Sequence, residues 1–226
     1  GILRDISERN ARKEQLERKN AQLEQFTSVV SHDLRNPLNI AEGRLDLAQD
    51  ECDSPHLDAV ERAHDRMHAL IEDLLAVARA DDTAVDTAPV SLADAADQSW
   101  AGVETADAAL VTDIDQVIDA DESRLKQLLE NLFRNAIEHG GENVTVRIGT
   151  VAPDELIIAD DGPGIPDDAR EQVFNRGYST ATDGTGLGLS IVETICNAHG
   201  WTVTATASER GGARFEITNV DIEDTD

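Results

Sequence analysis

The stretch QLLENLFRNAIEHG, residues 127–140, decides the fold of the second half of the chain. Its apolar residues recur at intervals of three and four, which predicts an amphipathic helix over residues 122–139. Asn131 and Asn135 are four residues apart and therefore share one face of that helix. An amide oxygen can bind Mg²⁺, although two polar residues on a helix are more often simply solvated. The predicted inner side carries Leu125, Leu128, Leu129, Leu132, Phe133, Ala136 and Ile137.

Two glycine-rich segments follow this helix in the sequence. ADDGPGIP, residues 159–166, ends an apolar strand with a carboxylate that could accept a hydrogen bond from an exocyclic amino group. Its glycines would let a flat ring approach the backbone, but an acidic surface turn has the same composition. DGTGLGLS, residues 183–190, places glycines before a helix, where backbone N–H groups and the helix dipole can face phosphates. It is neither a P-loop nor a dinucleotide fingerprint, so each segment alone is weak evidence.

The surrounding elements predict a two-layer α/β sandwich, because helices and strands segregate along the sequence. Helices are predicted over residues 92–104 and 188–200 in addition to the one over 122–139. Strands are predicted from alternating or continuous apolar runs at 109–114, 116–120, 143–150, 155–161, 201–208 and 213–220.

The first half predicts a different, all-α domain. Leu16, Leu23 and Val30 recur every seven residues along a long helix over 5–35, and a second apolar stripe runs along a helix over 57–80. A short connection containing Pro55 makes the two an antiparallel hairpin. Two helices cannot fully bury these stripes, so we expect the hairpin to dimerise into a four-helix bundle.

Composition narrows the possible partners. The formal net charge is −27, which would repel nucleic acid and anionic lipid, so neither is expected as a partner. No apolar run approaches a membrane span, and the two cysteines match no metal or redox spacing, which favours a cytoplasmic protein with reduced thiols. A low lysine content with abundant Asp and Glu is typical of proteins from a salt-rich cytoplasm. In this composition the chain resembles a haloarchaeal protein.

Four motifs in a fixed order give the chain a family resemblance from end to end. SHDLRNPL (31–38), NLFRNA (131–136), DDGPGIP (160–166) and GTGLGLSIV (184–192) resemble the H, N and two glycine boxes of sensor histidine kinases. The resemblance is to the type with a HisKA phosphoacceptor domain and a catalytic domain of the gyrase, histidine kinase and MutL fold. The opening residues resemble the exit of a PAS sensor domain.

The resemblance implies roles in phosphoryl transfer for the first motif. His32 would accept the phosphoryl group from ATP, and Asp33 would orient the ring and take its proton. Asn36 matches a position that assists dephosphorylation of the partner, a response regulator receiver domain.

For the nucleotide, the resemblance implies that Asn135 holds Mg²⁺, that Asn131 lines the same pocket and that Asp160 reads the adenine amino group. Arg134 and Arg176 are the best side chains to neutralise phosphate, with surface ion pairing as the open alternative. The other implied ATP-binding residues are Gly162, Gly164, Gly184, Thr185, Gly186, Leu187 and Gly188.

The predicted boundaries follow from these assignments. We expect a signalling helix over 1–24, with the end of a PAS-type input domain at 1–8, and a phosphotransfer and dimerisation domain over 25–80. A linker over 81–89, a catalytic domain over 90–220 and an acidic tail over 221–226 complete the prediction.

Departures from the family pattern put nucleotide affinity in doubt. Asp161 stands where Asn is frequent, and Glu138 stands where a lysine is common. Gly177 and Ser179 replace a frequent aromatic and a frequent basic residue in the loop before the second glycine box.

Two other functions stay open from the sequence. An ATP hydrolase of the same superfamily would carry a glutamate four residues before the metal-binding asparagine, where this chain has Asn131, and an amide cannot accept a proton. A dimeric phosphotransfer scaffold with an inactive ATP site is the non-enzymatic alternative, which the intact motifs disfavour.

Overall fold

The computed structural model divides the chain into two compact units, Gly1–Asp81 and Asp82–Asp226. It describes residues 34, 37–45, 47–49, 52, 54, 56–57, 60–61, 63–64, 67, 71, 85–103, 105, 107–112, 114–141, 143–179 and 186–223. The predicted signalling helix over 1–24 lies outside these residues.

The described residues of the first unit form two helical segments, one up to residue 49 and one from residue 56. Cys52 and Ser54 lie between them, and the Leu57 N–H donates to the Ser54 carbonyl at 2.8 Å. Leu38 of the first segment and Ile71 of the second are buried in one hydrophobic cluster. These contacts agree with the predicted helical hairpin.

The second unit is built on a five-stranded sheet of β2 (Ala109–Thr112), β4 (Thr145–Ala152), β5 (Glu155–Ala159), β6 (Thr202–Ala207) and β7 (Ala213–Thr218). The order of the strands in the sheet is β2-β4-β5-β7-β6. Its β2 runs parallel to β4, and the other neighbours are antiparallel. Alternate residues of β4, β5 and β7 are buried, which places one face of the sheet against the core.

Three helices supply the second layer: α1 (Leu92–Ala101), α2 (Glu122–Gly140) and α3 (Gly188–His199). Ser91 caps α1, and the carboxylate of Asp121 caps α2 by accepting from the N–H groups of Ser123 and Arg124. The predicted inner side of α2 is confirmed for its leucines, Phe133 and Ala136, which are buried, whereas Ile137 is only partly buried. The α/β sandwich predicted from the sequence is therefore confirmed. Among the described residues, no helix has the length and apolar character needed to cross a membrane.

A second, three-stranded sheet differs from the sequence prediction. It has the order β1-β3-β8, formed by β1 (Ala88–Ser91), β3 (Val117–Ala120) and β8 (Ile222–Glu223). The predicted linker over 81–89 thus runs into β1, and the predicted tail over 221–226 contributes β8. Both strands are short, and only Val90 of β1 is buried, so they carry no alternating pattern that a sequence reading could detect. Pairing with β3 on either side holds them in place.

Candidate functional site

Ten of the predicted site residues fall in the described part of the chain, all in the second unit. His32, Asp33, Asn36, Gly184 and Thr185 lie outside the described residues, so their roles stay predictions. The described ones are Asn131, Arg134, Asn135, Asp160, Gly162, Gly164, Arg176, Gly186, Leu187 and Gly188.

Asp160 follows the last residue of β5 and is only 7% exposed. Its Oδ1 accepts hydrogen bonds from the backbone N–H groups of Gly162, at 2.9 Å, and Ala213, at 3.1 Å. Burial raises the pKa of this carboxyl above its ordinary value, against the lowering effect of these two donors. Asp160 is therefore a buried acceptor held by fixed backbone donors.

The turn after Asp160 is packed so closely that glycine is required in it. A Cβ on Gly162 would lie 2.7 Å from the Gly140 Cα at the end of α2. Gly164 has a φ of 75°, and a Cβ there would lie 2.8 Å from the Gly211 carbonyl oxygen. These glycines let the Asp160 turn touch both α2 and the hairpin between β6 and β7.

Asp161, a departure from the family pattern, has a structural role. Its Oδ1 accepts the Thr145 N–H at 2.7 Å at the start of β4. That hydrogen bond is the main cause of the lowered pKa of Asp161. The two neighbouring carboxyls therefore have pKa values shifted in opposite directions.

Asn131 of α2 contacts the start of α3. Asn131 is 7% exposed, and its Nδ2 donates to the Gln127 carbonyl at 2.8 Å. Its Oδ1 faces Gly188, where a Cβ would lie only 3.1 Å away. Asn135 is half-buried one turn further along α2. It thus lies on α2 between the contact with Gly188 and the contact of Gly140 with Gly162.

The start of α3 is a candidate site for an anion. Leu187 occupies the N-cap position, and among the described residues no side chain makes a capping hydrogen bond to the helix. Just before it, Gly186 has a φ of 67°, and its carbonyl accepts the Gly177 N–H at 2.8 Å. A Cβ on Gly186 would lie 2.6 Å from the Gly177 carbonyl carbon. The first N–H groups of an uncapped helix are suited to binding phosphate.

Basic side chains of the second unit differ in their pairing. Lys126 is paired with Glu122 at 2.6 Å and Arg170 with Asp167 at 2.7 Å. Arg134 and Arg176 form no ion pair with any residue in the described ranges. Within the described residues, no carboxylate therefore pairs with either arginine, and their role at a phosphate stays a prediction.

Sequence reasoning predicted strands over 201–208 and 213–220 but missed the contact of the turn between them with Asp160. Both Gly212 and Ala213 lie against Asp160. The Ala213 N–H donates to its Oδ1, and a Cβ on Gly212 would collide with its carbonyl oxygen and Oδ1. The adjacent glycines Gly211 and Gly212 signal a tight turn between strands. Nothing local in the sequence tells which distant carboxylate that turn contacts.

Comparison with known proteins gives two family matches. Residues 22–83 match the His Kinase A phosphoacceptor domain, and residues 120–223 match the histidine kinase-, DNA gyrase B- and HSP90-like ATPase domain. The chain is 33% identical over 204 residues to the probable sensor histidine kinase TcrY of Mycobacterium tuberculosis. That alignment covers 81% of this chain and 43% of TcrY, so the chain spans less than half the length of this relative.

Solved structures agree with the family matches. The catalytic domain of histidine kinase ThkA is 31% identical, with a TM-score of 0.51 over 58% of this chain and 93% of that one. Histidine kinase ThkA in complex with the response regulator protein TrrA is 25% identical, with a TM-score of 0.59 over 92% of this chain and 66% of that one. With both domain models matched in the expected order, and with the α/β unit carrying the site described above, the chain belongs to the sensor histidine kinase family.

Proposed function

We propose that this chain is the kinase portion of a two-component sensor: it phosphorylates His32 with ATP and passes the phosphoryl group to an aspartate of a response regulator. The main support for an ATP site is that α2 contacts both the Asp160 turn and the start of α3. One end touches the Asp160 turn through Gly140, and Asn131 touches the start of α3 at Gly188. Nine residues of helix separate these contacts, or about 13 Å. A base at Asp160 and phosphates at α3 would place Asn135 between them.

Three kinds of group would neutralise the negative charge of the ATP phosphates. The start of α3 would supply backbone donors, and Arg134 and Arg176, which form no ion pair within the described ranges, would supply cations. The amide oxygen of Asn135 is a fitting ligand for Mg²⁺, which takes its remaining ligands from phosphate and water. When bound, Mg²⁺ neutralises charge that develops during phosphoryl transfer. Local neutralisation matters in a chain whose net charge of −27 would otherwise repel ATP.

The transfer itself is assigned to the first motif. An imidazole nitrogen of His32 would attack the γ-phosphorus, the bond to the bridging oxygen of ADP would break, and Asp33 would take the ring proton. A neutral imidazole is nucleophilic near pH 7, and a carboxylate on one ring nitrogen leaves the other free. Asn36 is assigned to dephosphorylation of the response regulator, so the protein would also act as its phosphatase.

Exposed apolar side chains support a homodimer. Ile40 and Leu47 are seven residues apart and 67% and 56% exposed, and Val60 and Met67 are seven apart and 43% and 42% exposed. Such rows along both helical segments would be covered in a four-helix bundle with a second copy. A monomer in sedimentation at micromolar concentration and high salt would reject this arrangement.

The remaining assignments concern context. We infer a response regulator receiver domain as the partner, a PAS-type domain upstream, and a cytoplasmic location in a haloarchaeal, salt-rich cell. The support is the family, the likeness of the opening residues to a PAS exit, and the acidic composition, whose self-repulsion molar salt would screen. Full activity at 50 mM salt would count against adaptation to salt.

Hydrolysis of ATP as the main activity is disfavoured by two side chains. Asn131 occupies the position of a hydrolytic glutamate, and its amide is already bonded to Gln127. The neighbouring Glu130 has its Oε1 beside Gly102 at the end of α1, 3.7 Å from where a Cβ would stand on that glycine. Neither group is suited to activate a water molecule.

Labelling with γ-labelled ATP tests the proposal. The parent should acquire acid-labile, base-stable label, His32→Gln should acquire none, and Asn135→Ala should lose the magnesium-dependent labelling. Release of free phosphate without labelled protein would favour the hydrolase. No label and no phosphate from a protein that still dimerises would favour the scaffold.

A further inference from the structure

The hairpin between β6 and β7 touches the carboxylate proposed to contact the base. The backbone of Asp160 donates to the Ala213 carbonyl at 2.9 Å, and Ala213 in turn donates to Asp160 Oδ1 at 3.1 Å. Gly212 lies against the same carboxyl group so closely that any side chain on it would collide with Oδ1. The carboxylate is therefore packed directly on the hairpin backbone.

This packing distinguishes the two carboxylate oxygens. Oδ1 accepts two hydrogen bonds, from the N–H groups of Gly162 and Ala213. Oδ2 accepts none from the residues that the structure describes. A rotation that exchanged the two carboxylate oxygens would leave the hydrogen bonds unchanged. In an asparagine at this position, the same rotation would place the NH₂ group against two N–H donors.

We propose that the β6–β7 hairpin sets the base preference of the site, with Gly212 as the positioning residue that lets the Ala213 N–H hold Oδ1 and leaves Oδ2 as the acceptor for the base. This inference rests on the proposed binding of a nucleotide at Asp160. The preferred ligand class is a 6-aminopurine nucleotide, whose amino group donates. A 6-oxopurine would oppose its own acceptor to Oδ2, and in a site where Asp160 is 7% exposed little water is available to relieve that contact.

The hairpin itself offers a matched control. Ser208 closes the turn, since its N–H donates to the Gly212 carbonyl at 2.8 Å and its carbonyl accepts the Gly211 N–H at 3.0 Å. Gly211 has a φ of 98°, but a Cβ on it would meet nothing within 4 Å. Gly211→Ala therefore strains the same turn without touching Asp160, whereas Gly212→Ala displaces the carboxylate.

The test measures the dissociation constants of ATP and GTP for the whole 226-residue chain by calorimetry. We expect the parent to bind ATP more tightly than GTP. Gly212→Ala should bind ATP at least tenfold more weakly, with a ratio of the ATP and GTP dissociation constants near one. Gly211→Ala should keep the parent's ratio of the two constants and have a lower melting temperature. A folded Gly212→Ala variant that keeps the parent's ratio of the ATP and GTP dissociation constants would overturn the inference.

Asp160→Asn keeps the test open if Gly212→Ala fails to fold. Because the two N–H donors fix the amide oxygen at the Oδ1 position, the NH₂ group must face the base, and the preference should move at least tenfold towards GTP. An ATP preference retained in Asp160→Asn would overturn the inference, since it would mean that the amide turns freely. A folded parent that binds neither nucleotide would instead reject the proposed function, so the two failures are distinguishable.

Discussion

The two ends of the proposed nucleotide site are built in different ways. At the Asp160 end, one buried carboxylate is held by backbone N–H groups from two segments, and glycines allow three pieces of chain to touch. At the α3 end, the start of a helix is accompanied by two arginines, and within the described ranges the helix has no side-chain cap and the arginines form no ion pair. The first arrangement depends on a single position, whereas the second distributes charge over several groups. Single substitutions should therefore be severe at the Asp160 end and graded at the α3 end.

The largest expected effect comes from Asp160→Ala. It removes the acceptor for the base and leaves the Gly162 and Ala213 N–H groups without their partner, at about 1–3 kcal/mol for each buried donor. We expect ATP affinity to fall by about 100-fold and the melting temperature to drop. Calorimetric titration with ATP and a thermal melt measure the two effects.

Asp161→Ala is the control for this comparison. It removes the neighbouring carboxylate and with it the hydrogen bond from the Thr145 N–H. We expect a stability loss of about 1 kcal/mol and an ATP affinity within threefold of the parent. Equal losses of affinity in the two variants would show that the first effect is not specific to Asp160.

A smaller effect is expected from Gly186→Ala at the other end. A Cβ on Gly186 would lie 2.6 Å from the Gly177 carbonyl carbon, and its φ of 67° disfavours a side chain. Displacing this backbone should move the start of α3 and weaken ATP binding about tenfold. Gly177→Ala shares the positive φ, at 81°, but a Cβ there meets nothing within 4 Å. If both variants bind ATP alike, backbone strain rather than the Gly177–Gly186 contact accounts for the loss.

The arginines should give the graded behaviour that the comparison predicts. Arg134→Ala and Arg176→Ala are each expected to weaken ATP binding about three- to tenfold, which is about 0.6–1.4 kcal/mol, with nearly additive losses. Both losses should shrink as salt is raised, because exposed charges are screened. Arg170→Ala, which removes a side chain already paired with Asp167, serves as the control. A loss in either variant that does not change between low and molar salt would contradict an electrostatic role.

Local sequence patterns predicted the elements of the site better than the contacts between them. The stripe on α2, the strand ending at Asp160 and the glycines before α3 all follow from periodicity and turn chemistry, which are local properties. The contact of Gly212 with Asp160 joins residues 52 apart in the sequence, and only the pairing of β5 with β7 brings them together. The short strands β1 and β8 were not predicted for a similar reason. They are stabilised by pairing with β3, and their own sequences carry no strand pattern.

The same limit applies to individual side chains. Asp161 was a reason to doubt nucleotide affinity because it departs from the family pattern, yet in the fold it bonds to the start of β4. The sequence left ion pairing of Arg134 and Arg176 open, because carboxylates are abundant near both. Which of them approach an arginine depends on the packing of loops and helices, and no spacing rule fixes it.

The smallest expected effect lies away from both ends, where α3 ends beside the start of α2. The half-buried His199 ring bonds to the Ile195 carbonyl through Nδ1, at 2.9 Å, and its Nε2 accepts the Asp121 N–H at 3.1 Å. The ring also stacks on Trp201, with centroids 4.2 Å apart. Both bonds require the neutral ring with its proton on Nδ1, so protonation of Nε2 would break the link to α2.

Burial lowers the pKa of His199 below its ordinary value, and the Arg124 charge acts in the same direction, while the Ile195 carbonyl and the Asp121 carboxylate oppose it. The unfolded chain, with an ordinary pKa near 6.5, therefore binds a proton more readily than the folded protein as the pH falls below about 6.5. Stability should fall across that window by about 1 kcal/mol, or about 3 °C in the melting temperature. Thermal melts of the parent and His199→Gln between pH 7.5 and pH 5 measure the difference, with His56→Gln, a change at an exposed histidine of the first unit, as the control. A parent and a His199→Gln variant that lose stability in parallel would place the acid sensitivity elsewhere, since only the parent retains a ring that can take up the proton.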